Sequence, residues 1–239
     1  MSSHIQPIYL LADSELLFWI DGADPFMKSV RSLIQSESPK AAYVGASNGD
    51  NPDYYSIFEA AMENIGISDC RMIPSRLSGD DESFLSEADI ILLAGGDVER
   101  GWNTFQENGL SEAIVRRYYE GSLLIGVSAG AIQLGLLGWP ENNESAGTLF
   151  YTFKLVPWII DAHDEDRGWE SLKKAVEFMG ENMNGIGIPK GGGLIYHPDG
   201  SIEPIRQALY EFSIKDQKIG STLLFPGESS EVEKELDIS

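Results

Sequence analysis

The sequence predicts an α/β fold, a three-layer α/β/α arrangement with a mostly parallel central sheet and an antiparallel extension towards its C-terminal end. Three observations predict it. Short apolar runs alternate with amphipathic stretches along the chain. The runs are continuously apolar rather than alternating, as strands covered on both faces are. The 239 residues suffice for one α/β domain with a full core and are too few for two ordinary ones, so residues 1–239 are read as a single domain.

Taken in order, Pro7-Ile8-Tyr9-Leu10-Leu11-Ala12 reads as the first strand and Lys40-Ala41-Ala42-Tyr43-Val44-Gly45 as the second. From Asp53, the apolar positions Ile57, Phe58, Ala61, Met62 and Ile65 recur at helical spacing. A short strand near Cys70 to Pro74 follows, then Asp89-Ile90-Ile91-Leu92-Leu93-Ala94. Ser111 is placed to cap a helix running to Glu120, with Gly121 just past its end. Ser122-Leu123-Leu124-Ile125-Gly126-Val127 is the next strand. Trp169, Leu172, Ala175, Val176 and Met179 mark a further helix. Strand-like pieces around Ile186-Gly187-Ile188, Gly193 to Tyr196, Ile202 to Ile205 and Leu209 to Ile214 make the antiparallel extension at the sheet edge. His197-Pro198-Asp199-Gly200 supplies the turn between two of them. An acidic tail that frays is expected over about 227–239. No internal repeat and no splitting linker is visible.

Charge narrows the function classes. Seventeen Lys+Arg against 38 Asp+Glu give a net charge of −21, which leaves no electrostatic footprint for nucleic acid or an anionic membrane. Cys70 is the one cysteine, so neither an intrachain disulfide nor a cysteine zinc site is expected. Asp13 and Glu15 interrupt the first apolar stretch, and no signal peptide or membrane span is read. No G-x-G-x-x-G or Walker pattern points to a nucleotide cofactor, and no metal cluster is read. The expectation is a soluble, cytoplasmic protein without a cofactor or metal.

Gly126-Val127-Ser128-Ala129-Gly130 has the G-x-S-x-G form, directly after a buried strand and before the helix-forming Ala131-Ile132-Gln133-Leu134. A tight strand-to-helix turn lifts a serine hydroxyl above the sheet and aims the following N–H at a developing oxyanion. The plainer reading is a glycine-rich turn whose serine caps the helix. Of the three histidines, His4 lies in a terminus expected to fray and His197 in a Pro-Asp-Gly turn. His163 follows the apolar run Val156-Pro157-Trp158-Ile159-Ile160, at a strand end amid Asp161, Asp164, Glu165 and Asp166. Strand ends are where α/β sheets form their sites; a surface histidine in an acidic loop is the alternative. Ala94-Gly95-Gly96-Asp97-Val98 is a second glycine turn whose N–H groups can complete an oxyanion hole with that of Ala129.

Together these turns resemble peptidase family S51, the family of dipeptidase E and cyanophycinase. The resemblance runs from about the first strand to the strands near Ile214. It implies a class I glutamine amidotransferase-like sheet, with Ser128 as nucleophile, His163 as base, and an oxyanion hole from Gly96, Asp97 and Ala129. Asp161-Ala162-His163 with Arg167-Gly168 is similar to the cyanophycinase stretch of Asp, Gln, His and a nearby Arg, with Ala162 replacing the Gln. Asn103-Thr104-Phe105 is similar to the Asn-Thr-Phe of dipeptidase E, displaced by several residues. Val98 stands where cyanophycinase-type enzymes carry a Gln. Lys190, in Gly185-Ile186-Gly187-Ile188-Pro189-Lys190, stands where the family places the acid that orients the histidine. A cation there cannot accept the imidazole N–H. Asp161, Asp164, Asp199 and Glu203 are the possible substitutes.

The leading expectation is a serine exopeptidase or isopeptidase hydrolysing small peptides, as a monomer or homodimer. Asp161, Arg167 and Lys190 are its candidate substrate contacts, although Asp161 and Arg167 also read as a surface ion pair. The net charge favours a basic or β-aspartyl peptide over an acidic one. Two alternatives stand beside it. One is an α/β-hydrolase-type esterase using Ser128 with His197. The other is a non-catalytic or weakly catalytic S51-like domain binding a small ligand or partner, which Lys190 supports.

Overall fold

The structure is a computed structural model and describes residues 5–140, 148–181 and 183–227. His4 and the acidic stretch 228–239 lie outside them. The strands that build the two main sheets are β1 (Ile8–Leu11), β2 (Lys40–Val44), β3 (Asp69–Ile73), β4 (Ile90–Leu93), β5 (Leu123–Val127), β6 (Ile159–Ala162), β7 (Gly185–Ile188), β8 (Gly193–Tyr196), β9 (Ile202–Ile205), β10 (Leu209–Lys215) and β11 (Lys218–Leu224). The helices are α1 (Met27–Leu33), α2 (Pro52–Glu63), α3 (Gly79–Glu87), α4 (Val98–Glu107), α5 (Leu110–Tyr119), α6 (Ala129–Leu134) and α7 (Glu170–Met179).

The central sheet has seven strands in the order β9-β8-β1-β5-β4-β2-β3. From β1 to β3 every pairing is parallel; β8 and β9 add antiparallel at one edge. Every residue of β1, β4 and β5 is buried, because their alternate side chains serve two cores. Ile8 and Leu10 face α3 to α6 through Phe84, Phe105, Ile114 and Leu134. Tyr9 and Leu11 face α1 and α2 through Met27, Val30, Phe58 and Met62. Continuous apolar runs are what this double burial demands.

The expected antiparallel extension divides in two. Only β8 and β9 extend the central sheet; β6, β7, β10 and β11 form a separate four-stranded sheet in that order. Its strands β6 and β7 are buried on both faces, whereas the edge strand β11 is mostly exposed. Ile160, Ile186 and Leu209 join the core beneath the central sheet, and Ile159 and Phe212 pack on Trp169, Leu172 and Val176 around α7. A strand edge alone cannot be told from a second layer by apolar runs, because both bury the same residue types. The second sheet matters for function because β6 carries His163 to the serine.

Local chemistry sets the element ends. Asn51 accepts the Asp53 N–H, with Pro52 at the first helical position of α2. Ser78 and Asp81 close a reciprocal capping box on α3. Ser111 is not the cap expected: α5 begins behind a left-handed Gly109, and the Ser111 hydroxyl donates to Glu112.

Candidate active site

Ser128 follows β5 with φ 51° and ψ −112°. Positive φ costs a non-glycine residue about 1–3 kcal/mol and persists only where the surroundings impose it. Here they do. The Ser128 N–H donates to Leu11 O at 2.9 Å, and Ser128 O accepts from Ala131 and Ile132. Gly130 packs directly on β4, where a Cβ would stand 2.1 Å from Leu93 O. The two glycines of the motif are therefore contacts between α6 and the sheet. Ser128 makes no side-chain cap to α6, which removes the capping interpretation. Its Oγ lies 2.7 Å from His163 Nε2.

His163 is held at φ 49° just past β6, with its N–H donating to Ile188 O at 2.8 Å. In the Nδ1–H tautomer its Nε2 accepts the Ser128 hydroxyl proton. His197 is elsewhere. The register Ile8↔Tyr196 and Leu11↔Gly193 puts the His197 turn at the start of β1, whereas Ser128 sits at its end. His197 Nε2 is 3.1 Å from Glu203 Oε2, and Asp199 accepts the Ser201 N–H and hydroxyl. A Ser128–His197 pair is thus excluded by the register of β1 and β8. Asp199 and Glu203 share that end and cannot orient His163.

The glycine turn Gly95-Gly96 lies alongside the serine; a Cβ on Gly95 would stand 3.2 Å from Ser128 Cβ. Gly96 has φ 133°, and a Cβ there would overlap Ser47 O at 2.2 Å. Ser47 O anchors the turn by accepting the Asp97 N–H at 2.9 Å and the Arg100 Nε–H at 3.1 Å; it also accepts from Arg100 Nη2. Asp97 is therefore a correction to the expected oxyanion hole: its N–H is committed to Ser47, and its carboxylate caps α4 through the Arg100 N–H at 2.7 Å. Among the described residues, the N–H groups of Gly96 and Ala129 have no partner in the fold. Beneath the turn, buried Gln133 donates to Val98 O at 2.9 Å and to Ser47 Oγ at 3.1 Å. Ser47 and Gln133 were not singled out in the sequence, where nothing marks a polar residue in a helix as buried.

Two cavities meet at the Ser128–His163 pair. The first, of about 440 Å³, runs towards β1 and α2 past Leu17, Tyr43, Ile57, Phe58 and Leu92. The second, of about 530 Å³, is bordered by Asp161, Asp164, Asp166, Arg167 and Trp139. Asp161 is buried, with Oδ1 accepting the Ala162 N–H at 2.9 Å and Oδ2 without a hydrogen bond. Burial pushes its carboxyl up to about 7, opposed by the Ala162 N–H. Burial also raises Asp164, against the lowering charges of Arg167 and His163. Asp164 Oδ2 and Glu165 Oε2 are likewise buried without a partner. Arg167 borders the cavity but is 81% exposed, its Nε 3.9 Å from Asp164 Oδ1. No group of three acidic, histidine or cysteine residues among those described could hold a metal ion.

Lys190 is the second correction. It borders neither cavity, and its backbone N–H donates to Glu165 Oε1 at 3.0 Å. Asn103, Thr104 and Phe105 lie within α4, where Phe105 is fully buried and the Thr104 hydroxyl returns to Arg100 O. Val98, buried against Ala129 and Ile132, borders the second cavity as an apolar contact.

Over 121 residues the chain is 31% identical to the uncharacterized peptidase YgaJ of Bacillus subtilis, covering 47% of this chain and about half (48%) of that one. Over 174 residues it is 27% identical to peptidase E of Streptomyces coelicolor, covering 68% of this chain and 70% of that one. The crystal structure of a peptidase from an acI-B1 actinobacterium superposes with a TM-score of 0.69 at 17% identity, covering 96% of this chain and 98% of that one. The model of peptidase family S51 matches residues 19–203, and the chain belongs to that family.

Proposed function

We propose that this protein is a serine peptidase that hydrolyses small peptides. The observation that carries the proposal is the 2.7 Å contact between Ser128 Oγ and His163 Nε2 on a strained strand-to-helix turn. A serine poised against an imidazole on such a turn is an activated nucleophile. Ser128 Oγ attacks the peptide carbonyl as His163 Nε2 takes its proton. The carbonyl oxygen becomes an oxyanion, received by the Gly96 and Ala129 N–H groups. Collapse breaks the C–N bond, and the leaving amine takes the proton from His163. Water then reverses the sequence on the acyl-enzyme.

The imidazolium formed in between needs a negative neighbour. Asp164 follows His163 in the chain, borders the second cavity and feels the charge of His163, which opposes the rise that burial causes. No hydrogen bond joins the two side chains, and we assign Asp164 as the carboxylate that stabilises the imidazolium through space. Asp161 feels Asp164 and Arg167 instead. Asp161 borders the second cavity with its Oδ2 buried and unpartnered, and its negative charge there suits a peptide with a basic leaving residue. The partner is thus a small peptide, not nucleic acid or a membrane surface.

Substitution tests the assignment. Ser128→Ala and His163→Ala are each expected to lower peptide turnover on the order of 10⁴-fold or more, as removal of a triad member does. His197→Ala should leave turnover within about twofold, because surface changes away from a site are close to neutral. Near-normal turnover by Ser128→Ala on a peptide the parent cleaves would refute the serine mechanism.

A further inference from the structure

We infer that the first cavity selects an apolar side chain, aromatic or branched aliphatic, on the acyl side of the scissile bond. The inference rests on the serine peptidase reading and adds the substrate class. His163 must protonate the departing amine, so the leaving group lies over the segment that carries it. That segment, Asp161 to Arg167, borders the second cavity. The acyl residue's side chain is then directed into the other space that opens on Ser128, past Gly95 and Gly96.

The lining of that space decides what it holds. Tyr43, Phe58 and Leu92 form its floor, all nearly fully buried. Tyr43 packs on Phe58 at 5.5 Å between ring centroids, so the floor is rigid. Leu17 and Ile57 close the sides, and Tyr54, 54% exposed, stands at the mouth. Its volume of about 440 Å³ lies within the range of small-ligand sites, roughly 300–1,000 Å³.

Three polar side chains on this wall, Asp13, Asn48 and Arg100, are already engaged. Asp13 accepts the Glu15 N–H at 2.8 Å and the Gly191 N–H at 2.7 Å. Asn48 donates to the Tyr43 hydroxyl at 2.7 Å and accepts the Asn51 N–H at 3.1 Å. Arg100 turns Nε and Nη2 onto Ser47 O. A carboxylate side chain entering here would lose water and meet the Asp13 carboxylate, with Arg100 Nη1 and the hydroxyls of Ser14 and Tyr54 left to receive it. An apolar side chain would give up nothing and displace water from the aromatic floor. The two cavities thus ask for opposite chemistry across one peptide bond.

The test uses the full chain and a set of α-aminoalkyl phosphonate diphenyl esters differing only in side chain: methyl, isobutyl, benzyl and carboxymethyl. Each labels a reactive serine by forming an Oγ–P bond as phenoxide leaves and the serine proton passes to histidine. A small ethyl fluorophosphonate reports Ser128 reactivity alone, with fluoride leaving. Benzyl or isobutyl probes should label Ser128 at least tenfold faster than methyl or carboxymethyl, since one methylene in an apolar pocket discriminates roughly 10–200-fold. Equal rates, a faster carboxymethyl probe, or labelling by the fluorophosphonate alone would overturn the pocket assignment while leaving the serine mechanism standing. No labelling of Ser128 by any reagent would overturn the serine mechanism itself.

Discussion

Ser128 and His163 meet at 2.7 Å, yet the segments that bring them together satisfy their polar groups very differently. Around the serine, the carbonyl of Ser47 takes donors from Asp97 and Arg100, the Ser128 N–H reaches Leu11, and Gln133 is bonded although wholly buried. Around the histidine, Asp161 Oδ2, Asp164 Oδ2 and Glu165 Oε2 are all buried without a hydrogen bond. The first region is a scaffold whose positions are fixed before substrate arrives. The second holds buried carboxylate oxygens to which the fold gives no hydrogen bond. Unpartnered buried carboxylates are costly, and they gather here beside His163, where the proposed mechanism would form an imidazolium.

The sharpest way to break this contrast is to remove the charge that serves the imidazolium. Asp164→Asn is expected to lower kcat by about tenfold or more with little change in KM, since it removes a charge that stabilises the imidazolium through space and breaks no hydrogen bond to His163. Melting temperature should barely move, which separates this role from a structural one. Lys190→Glu should gain nothing, because Lys190 borders neither cavity and its N–H is turned to Glu165. Steady-state kinetics of the two variants decides. A tenfold gain from Lys190→Glu with an unaffected Asp164→Asn would return the orienting role to the position after Pro189.

The same contrast explains how far the sequence could be read. The elbow was legible because its residues are constrained locally: Gly126 and Gly130 are demanded by the close packing of α6 on the sheet, and a buried strand precedes them. His163 was legible because an apolar run ends just before it. What stayed hidden depends on register. Nothing local shows that β8 pairs with β1 so that His197 falls at the far end, or that β6 and β7 leave the central sheet for a second one. Asp97 reads as an oxyanion donor until Ser47, fifty residues earlier in the chain, is seen to take its N–H. Four carboxylates were equal substitutes in sequence; the fold keeps Asp161 and Asp164 beside His163.

A second measurement sharpens the comparison through stability. Asp161 holds its proton up to about pH 7, against 3.8 when unfolded. Between these values the folded chain binds more protons than the unfolded one, so stability falls as pH rises through roughly 4 to 7 and the whole penalty is present above 7. That rise corresponds to a few kcal/mol. Asp161→Asn keeps an oxygen for the Ala162 N–H and removes the charge. It should raise the melting temperature at pH 8 by about 5 °C or more and leave it nearly unchanged at pH 4. The variant should also lose preference for peptides with a cationic leaving group. An equal shift at both pH values, by thermal melts, would mean that the ionised carboxylate is not the unsatisfied partner.

The smallest expected effect belongs to Arg167. Its side chain is 81% exposed and reaches Asp164 only at 3.9 Å, so the pair contributes little to stability, roughly 0–1 kcal/mol. The guanidinium nonetheless borders the second cavity, beside three aspartates. There it is the group able to take a peptide's carboxylate, and it would do so in the ground and transition states alike. Such uniform binding lowers KM without raising kcat. Arg167→Ala is therefore expected to raise KM several-fold, with kcat within about twofold, for peptides ending in a free carboxylate. The same peptides with an amidated terminus should show no change in KM. If KM rises equally for both, Arg167 acts through the charge of Asp164 rather than on substrate, and the histidine side of the site would hold its acids without help from a substrate-binding cation.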